Sequence, residues 1–185
     1  MKRWFVLVLA VLALFGALRA QDPTLPAAPA RGSTVILVRH AEKDPKGDAR
    51  DPGLSEEGLA RAQALARLLA PAQPSHLYAS EYHRTQATLE PLAHALGLEV
   101  EVEPAGKPAE LLRKLRAQPE GSVSVVAGHS NSVPALVEAL GGKLERLEKG
   151  QLAESEYGRL FVLTLPPAAA SGASATTTLE LAYGN

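Results

Sequence analysis

Three short segments of the 185-residue chain carry side chains that could do chemistry. Arg39 and His40 stand side by side after an apolar run, Ser80 and Arg84 lie in the stretch SEYHRTQAT, and His129 lies in the tripeptide GHS. An imidazole can act as a nucleophile or a proton donor near neutral pH. A guanidinium presents a planar fork of donors that matches the oxygens of a phosphate group. These residue types indicate phosphate chemistry if the fold brings the three segments together.

The elements that must position these segments are read from the pattern of apolar residues. Short apolar runs predict strands, and apolar residues at helical spacing predict helices. The predicted strands cover 33–39, 75–80, 98–102, 122–128, 158–165 and 176–183, and the predicted helices cover 54–71, 81–97, 108–118 and 132–142. Strands alternating with helices predict an α/β domain, a three-layer α/β/α sandwich with a mostly parallel central sheet.

The first two helices have recognisable boundary residues. Ser55 is the predicted N-cap of the first helix, Leu59 begins its apolar stripe, and Pro71 ends it. Gly97 is the predicted C-cap of the second helix. Pro91 lies inside the apolar pattern of that second helix, so we expect a kink or a break into two pieces there.

The three reactive segments all follow predicted strands. In parallel α/β sheets, sites form beyond the C-terminal ends of the strands, where the strand order switches. The segments at 39–40, 80–85 and 128–130 come directly or shortly after the strands at 33–39, 75–80 and 122–128. We therefore expect two histidines and two arginines from distant parts of the chain to converge on one edge of the sheet.

The N-terminal region has the layout of an export signal. Residues 1–20 contain Lys2 and Arg3, then about fifteen apolar residues, then Ala20, which is the pattern of a secretory signal peptide. An uncleaved N-terminal membrane anchor is the alternative. Residues 21–33 are rich in proline and alanine and predict an extended linker, so that the folded domain covers 34–185. A periplasmic or extracellular location follows, with no stable membrane insertion after signal cleavage.

Composition excludes several classes of protein. The chain has no cysteine, which excludes disulfides, thiol catalysis and a cysteine-linked lipid anchor. Without residues 1–20, acidic residues outnumber basic ones, and no basic block of the kind that binds nucleic acid is present. The stretch PPAAASGASA at 166–175 predicts a loop without a core. Nothing in the sequence predicts an oligomeric state.

Together, the three segments resemble the histidine phosphatase superfamily, which has the phosphoglycerate mutase-like fold. The resemblance extends over residues 34–165, and the short interval before the third segment is similar to the compact branch that includes small phosphohistidine protein phosphatases. It is carried by residues Arg39-His40-Ala41-Glu42, Ser80, Arg84-Thr85, Thr88 and Gly128-His129-Ser130. Pro52-Gly53-Leu54 stands where most members have a Pro-Leu pair.

The resemblance implies a role for each of four residues. His40 would attack phosphorus, with one ring nitrogen held by a partner, and form a phosphohistidine that water hydrolyses. Arg39 and Arg84 would bind the phosphate oxygens. His129 would donate to the transferring group and work best when protonated. With these four donors around the phosphate, no metal or other cofactor is expected.

The general acid that protonates the leaving group is left open by the sequence. Longer family members supply a carboxylate from an insertion that this chain lacks. The candidates here are four residues of the loop after His40 and one residue beside the second segment, namely Glu42, Asp44, Asp48, Asp51 and Glu81. Asp44 and Asp48 are favoured because that loop could fold over the pocket.

Taken together, these features predict an exported, metal-independent phosphatase acting on small phosphorylated substrates. The alternatives are a phosphohistidine protein phosphatase and a non-catalytic phosphate-binding module of the cell envelope. Several other polar residues are interpreted as structural. Lys43 is expected at the surface, Ser130 and Asn131 are expected to cap the helix that follows, and three further histidines are expected to have no role in the site, His76, His83 and His94.

Overall fold

A computed structural model describes residues 31–167 and 175–184 of the chain. Its strands, numbered in chain order, are β1 Thr34–Arg39, β2 His76–Ala79, β3 Val100–Val102, β4 Val123–Gly128, β5 Arg159–Thr164 and β6 Thr177–Ala182. Its helices are α1 Glu56–Leu69, α2 His83–Leu96, α3 Pro108–Arg116 and α4 Ser132–Ala139, and a 3₁₀ turn covers Ala70–Ala72.

The six strands form one mixed sheet in the order β3-β2-β4-β1-β5-β6. The four strands β3, β2, β4 and β1 are parallel, whereas β5 and β6 pair antiparallel at the other side of the sheet. β1 and β4 are buried over nearly their whole length, as their continuous apolar runs predicted.

Helices cover both faces of this sheet. Leu65 of α1 and Leu92 of α2 pack in one apolar cluster, and Leu115 of α3 and Val137 of α4 pack in another. Alternate residues of β1 and β4 point into the two clusters, which is why the interior positions of both strands are apolar except for Ser124. The predicted three-layer α/β/α sandwich is confirmed.

The register of the parallel strands brings their C-terminal ends level. Arg39 at the end of β1 is opposite Gly128 at the end of β4, and Ala79 of β2 is opposite Ala127. The residues that follow these three strands therefore leave the sheet side by side. This alignment is the reason that segments far apart in the chain can form one site.

Two details differ from the sequence predictions. Helix α2 runs unbroken through Pro91, so the predicted break is absent while a kink stays a prediction; the loss of one backbone donor is offset by the burial of Leu89 and Leu92 on either side of it. Leu59 is 53% exposed and lies outside the core, whose α1 residues begin at Ala62. Ser55 caps α1 as predicted, since its side chain accepts a hydrogen bond from the Gly58 amide.

Several predictions concern residues that the structure does not describe. The signal peptide at 1–20, most of the linker at 21–33 and most of the loop at 166–175 lie outside the described residues. Within 31–167 and 175–184, no helix has the length and apolar character required to cross a membrane.

Candidate active site

His40 follows β1 and is held in one orientation by the backbone. Its amide donates a hydrogen bond of 2.9 Å to the Gly128 carbonyl, and its side chain is almost fully buried. The Nδ1 atom lies 2.7 Å from the Ala41 carbonyl oxygen. Because a carbonyl only accepts, Nδ1 carries the proton and Nε2 of the neutral ring keeps its lone pair. The backbone thus selects the tautomer that a nucleophilic imidazole requires.

The surroundings of His40 also keep the ring neutral. Burial lowers the pKa of His40 to about 4, against the ordinary 6.5. That value already includes the positive charges of Arg39 and Arg84, which also lower the pKa, and the Ala41 carbonyl, which stabilises the Nδ1 proton and opposes the shift. At pH 6–8, His40 is therefore uncharged and able to attack an electrophile.

His129 follows β4 and lies next to His40. The two ring centres are 5.4 Å apart and the rings meet edge to face. Gly128 leaves room for the start of α4, since a Cβ at that position would lie 2.8 Å from the Ser132 hydroxyl oxygen. That same hydroxyl accepts a hydrogen bond of 2.9 Å from the His129 amide and supports the turn into α4.

A chain of hydroxyl groups fixes the tautomer of His129. The Thr85 hydroxyl lies 2.7 Å from the Tyr82 carbonyl and must donate its hydrogen there. It can then only accept from the Ser80 hydroxyl, 2.8 Å away. Ser80 in turn accepts from Nε2 of His129 at 2.9 Å. In the neutral ring, Nε2 is therefore protonated and Nδ1 is the atom that can gain or lose a proton.

The surroundings of His129 favour its neutral form. Burial and the nearby Arg84 lower the pKa of His129, and Glu81 opposes them only in part. The role expected from the sequence, donation from a protonated ring to the transferring group, therefore requires that the ring gain a proton when the substrate binds. A phosphate dianion beside the ring would restore the protonated form, since an opposite charge stabilises it.

Arg84 is presented by the first turn of α2. Its guanidinium stacks over the Tyr82 ring at 4.4 Å and lies 3.5 Å from a carboxylate oxygen of Asp51. The Thr88 hydroxyl ties this turn to the end of β1, because it accepts a hydrogen bond from the Ala41 amide and donates one to the Arg84 carbonyl. Arg84 is thereby oriented without being enclosed.

Arg39 is held in a different way. Its side chain is 3% exposed, and one terminal nitrogen donates to the carbonyls of Ala153 at 2.8 Å and Glu154 at 3.0 Å. The other terminal nitrogen donates to the Glu154 carboxylate at 3.0 Å. The guanidinium also stacks on the Tyr157 ring at 4.2 Å, and its Nε has no partner among the described residues. The loop 153–157 therefore encloses this arginine.

All four predicted residues line one cavity of about 550 Å³. Lys43 and Arg50 line it as well. The arrangement places two imidazoles and four cations around a space that would suit a tetrahedral anion. The convergence that the strand ends predicted is present in the structure.

The five carboxylates considered as general acids do not line this cavity. Glu42 accepts hydrogen bonds from Arg61 to both carboxylate oxygens, at 2.8 and 2.9 Å, and its pKa is lowered by that contact against the opposing effect of burial. Such a carboxylate stays ionised and is a poor acid. Asp51 comes nearest, through its contact with Arg84.

Two of the other three carboxylates serve local backbone turns, and Glu81 contacts a loop 24 residues further along the chain. Asp44 accepts from the Lys46 amide, Asp48 accepts from the amide of Arg50, and Glu81 accepts from the amide of Ala105; the distances are 2.9, 2.7 and 2.8 Å. These contacts explain the acidic residues of the two loops without a catalytic role.

The acidic residue that does line the cavity is Glu154, which the sequence prediction missed. Tyr82 and Tyr157, which stack on the two arginines, were missed as well. The segment around Glu154 and Tyr157 has no hydrophobic period and no recognised motif, so no sequence signal could have placed it here. Tyr82 precedes α2 directly and could have been suspected from its position beside Arg84.

The residues interpreted as structural are only in part where they were expected. Asn131 stands at the N-cap position of α4 but its side chain makes no capping hydrogen bond. Lys43 is half exposed, as expected, yet it lies 3.7 Å from Glu154 at the cavity. None of His76, His83 and His94 lines the cavity. Among residues 31–167 and 175–184, no three His, Cys, Asp or Glu side chains cluster as a metal site would require.

Comparisons with known proteins agree with this geometry. The family model of the histidine phosphatase superfamily (branch 1) matches residues 35–107, and a search of the curated proteins found no match.

Three similar solved structures have the same fold. The protein histidine phosphatase SixA complexed with tungstate is 20% identical, with 80% of this chain and 96% of that chain covered and a TM-score of 0.62. The mycobacterial glucosyl-3-phosphoglycerate phosphatase is 18% identical, with coverage of 80% and 97% and a TM-score of 0.58. A putative phosphohistidine phosphatase SixA from Agrobacterium tumefaciens is 24% identical, with coverage of 72% and 92% and a TM-score of 0.54.

Proposed function

Because the family model of the histidine phosphatase superfamily (branch 1) matches residues 35–107, we propose that the chain is a member of that superfamily and hydrolyses small phosphomonoesters through a phosphohistidine intermediate on His40. The observation that carries this proposal is the state of that ring. Its Nδ1 is committed to the Ala41 carbonyl and its pKa is about 4, so a buried, neutral Nε2 is available beside a second histidine and two arginines.

The reaction has two steps. The lone pair of His40 Nε2 attacks phosphorus, a P–N bond forms, and the P–O bond to the leaving group breaks. The leaving oxygen takes a proton from water or from an acid of the site. Water then attacks the phosphohistidine, the P–N bond breaks, and the ring returns to its neutral form as inorganic phosphate is released.

The remaining residues would stabilise charge on the transferred group. Arg84 lies free enough to bind equatorial oxygens with its fork, and Arg39 and Lys43 add positive charge on the other side of the cavity. His129 would take a proton at Nδ1 as the dianion binds and then donate it to an oxygen. These groups supply the positive charge that a cofactor would otherwise provide, so the proposal includes no metal or other cofactor.

A phosphohistidine is the second candidate substrate. The support for it is the likeness of the fold to the protein histidine phosphatase SixA, at a TM-score of 0.62. A P–N bond needs less help from a general acid than an alkyl phosphate, which agrees with the absence of the five candidate acids from the cavity lining.

We also propose that the protein is exported, from the pattern of residues 1–20. Expression of the full chain followed by cell fractionation and N-terminal sequencing tests this. Recovery outside the cytoplasm with a new N-terminus near residue 21 would support export with cleavage. An intact chain in the cytoplasmic fraction would contradict it.

Hydrolysis of p-nitrophenyl phosphate by the purified full chain, in buffer containing EDTA, tests the proposed enzyme. We expect turnover in the wild type and a loss of at least about 1,000-fold in His40→Asn, because the nucleophile is absent. His94→Asn is the control, since this exposed histidine lies far along α2. Turnover at the wild-type rate in His40→Asn would contradict the assigned nucleophile. Binding of phosphate without turnover in the wild type would favour the non-catalytic module.

A further inference from the structure

Glu154 has an unusual position for an acidic residue in a site that should attract anions. Its carboxylate lies 3.0 Å from a terminal nitrogen of Arg39 and 3.7 Å from the Lys43 ammonium. Both cations line the cavity together with His40. The carboxylate therefore already makes, within the chain, the contact that a phosphate oxygen would make with Arg39.

The two partners of this contact differ in mobility. The Arg39 side chain is 3% exposed and is also held by two backbone carbonyls and the Tyr157 ring. The Glu154 side chain is 72% exposed. The carboxylate can turn into solvent by a rotamer change, whereas the guanidinium cannot follow it. Departure of the carboxylate would free one donor of Arg39 next to its unpartnered Nε.

From this geometry we infer that the Glu154 carboxylate competes with the phosphoryl group of the substrate for Arg39 and so sets the apparent affinity of the site for phosphate. The inference rests on the proposed phosphate site and adds a residue that governs its affinity. When a phosphate enters, the carboxylate leaves Arg39 and Lys43, and the phosphate oxygens take its place. No bond is made or broken in this exchange.

The expected effect on affinity is moderate. When an internal contact must break before a ligand binds, only the molecules in which that contact is open can bind. The apparent affinity is therefore the intrinsic affinity multiplied by the fraction of molecules in the open state. An ion pair with one exposed partner accounts for about a fivefold change in binding. The same factor should affect the ground state and the transition state, so KM changes while kcat does not.

Calorimetric titration of the full chain with inorganic phosphate tests the inference with Glu154→Gln. We expect phosphate to bind about fivefold more tightly than to the wild type, and KM for p-nitrophenyl phosphate to fall by the same factor at unchanged kcat. Glu148→Gln is the matched control, because it removes an equal charge from an exposed residue of the same segment that does not line the cavity. This control should bind phosphate within twofold of the wild type.

Three results would overturn the competition. The first is unchanged or weaker phosphate binding in Glu154→Gln. The second is an equal gain in phosphate affinity in Glu148→Gln. The third is a fall in the kcat of Glu154→Gln without tighter phosphate binding, which would assign the carboxylate to the chemistry. Glu154→Ser gives a second test if the glutamine variant folds poorly. The titration requires no turnover, so the competition and the proposed hydrolysis are tested separately. If the wild type is inactive but Glu154→Gln binds phosphate more tightly than the wild type, the competition is supported and the proposed hydrolysis is contradicted.

Discussion

The two arginines of the site are the same residue type in opposite circumstances. Arg84, at the start of α2, leans on Tyr82 and contacts Asp51 only at 3.5 Å, so its donors remain directed at the cavity. Arg39, at the end of β1, is buried and donates to two carbonyls and the Glu154 carboxylate. One arginine is available to a ligand, whereas the other also supports the loop above it.

This difference shows that one of the two proposed phosphate ligands also holds a loop in place. The chain after α4 returns across the sheet edge, and the donors that Arg39 gives to the carbonyls of Ala153 and Glu154 are not available to phosphate. In the half of the site around Arg84, the Thr88 hydroxyl donates to the Arg84 carbonyl, and the Ser80 hydroxyl contacts both Thr85 and His129. Substitutions in the two halves should therefore have different consequences.

The largest expected effect is a difference between the lysine variants of the two arginines. Arg84→Lys should lower kcat/KM by about 100-fold because a planar fork is replaced by a point charge, and should leave thermal stability unchanged. Arg39→Lys should lower activity and also destabilise the fold by about 2 kcal/mol, since buried carbonyls of the loop 153–157 lose their donors. Thermal denaturation and steady-state kinetics of both variants measure this. Equal stability losses would contradict the comparison.

A smaller effect is expected from Ser80, which positions His129 without touching the ligand. Ser80→Ala removes the acceptor for Nε2–H, so the ring can adopt the other tautomer and orientation. We expect kcat/KM to fall by about tenfold and its pH profile to shift, while Ser80→Thr should restore much of the activity. A uniform loss with an unchanged pH profile would point to a packing role instead.

The last expected effect concerns stability in acid. The pKa of His40 is about 4 in the fold and 6.5 in the unfolded chain, so below pH 6.5 the unfolded chain binds a proton that the folded protein does not. Stability should fall as the pH drops from 6.5 to 4, by at most about 1.4 kcal/mol per pH unit for this residue. The pKa of His129 is shifted in the same direction.

Urea denaturation at pH 7.5 and pH 4.5 measures this dependence. His40→Asn should lose less stability between the two pH values than the wild type does, because one of the two buried histidines has been removed. His94→Asn is the control and should behave as the wild type. The same loss in His40→Asn as in the wild type would indicate that His40 is not buried in the neutral form.

Much of the fold could be read from the chain because local signals and long-range packing agree. β1 and β4 are largely apolar, as strands covered on both faces are, and Ser55 caps α1 as its position suggested. Pro91 is a case where they disagree. Its local cost argues for a broken helix, but burial of the residues around it keeps α2 continuous.

The identity of the four central residues was determined by the sequence alone. Arg39, His40, Arg84 and His129 each stand after a strand or at a helix start, and parallel strands bring such positions to one edge whatever the details of packing. Side-chain roles that depend on an unpatterned loop were decided only by the tertiary structure. Glu154 and Tyr157 reach Arg39 because the segment after α4 folds back over the sheet edge. The pattern of apolar residues does not predict the path of this segment, because the path depends on packing between residues more than a hundred positions apart.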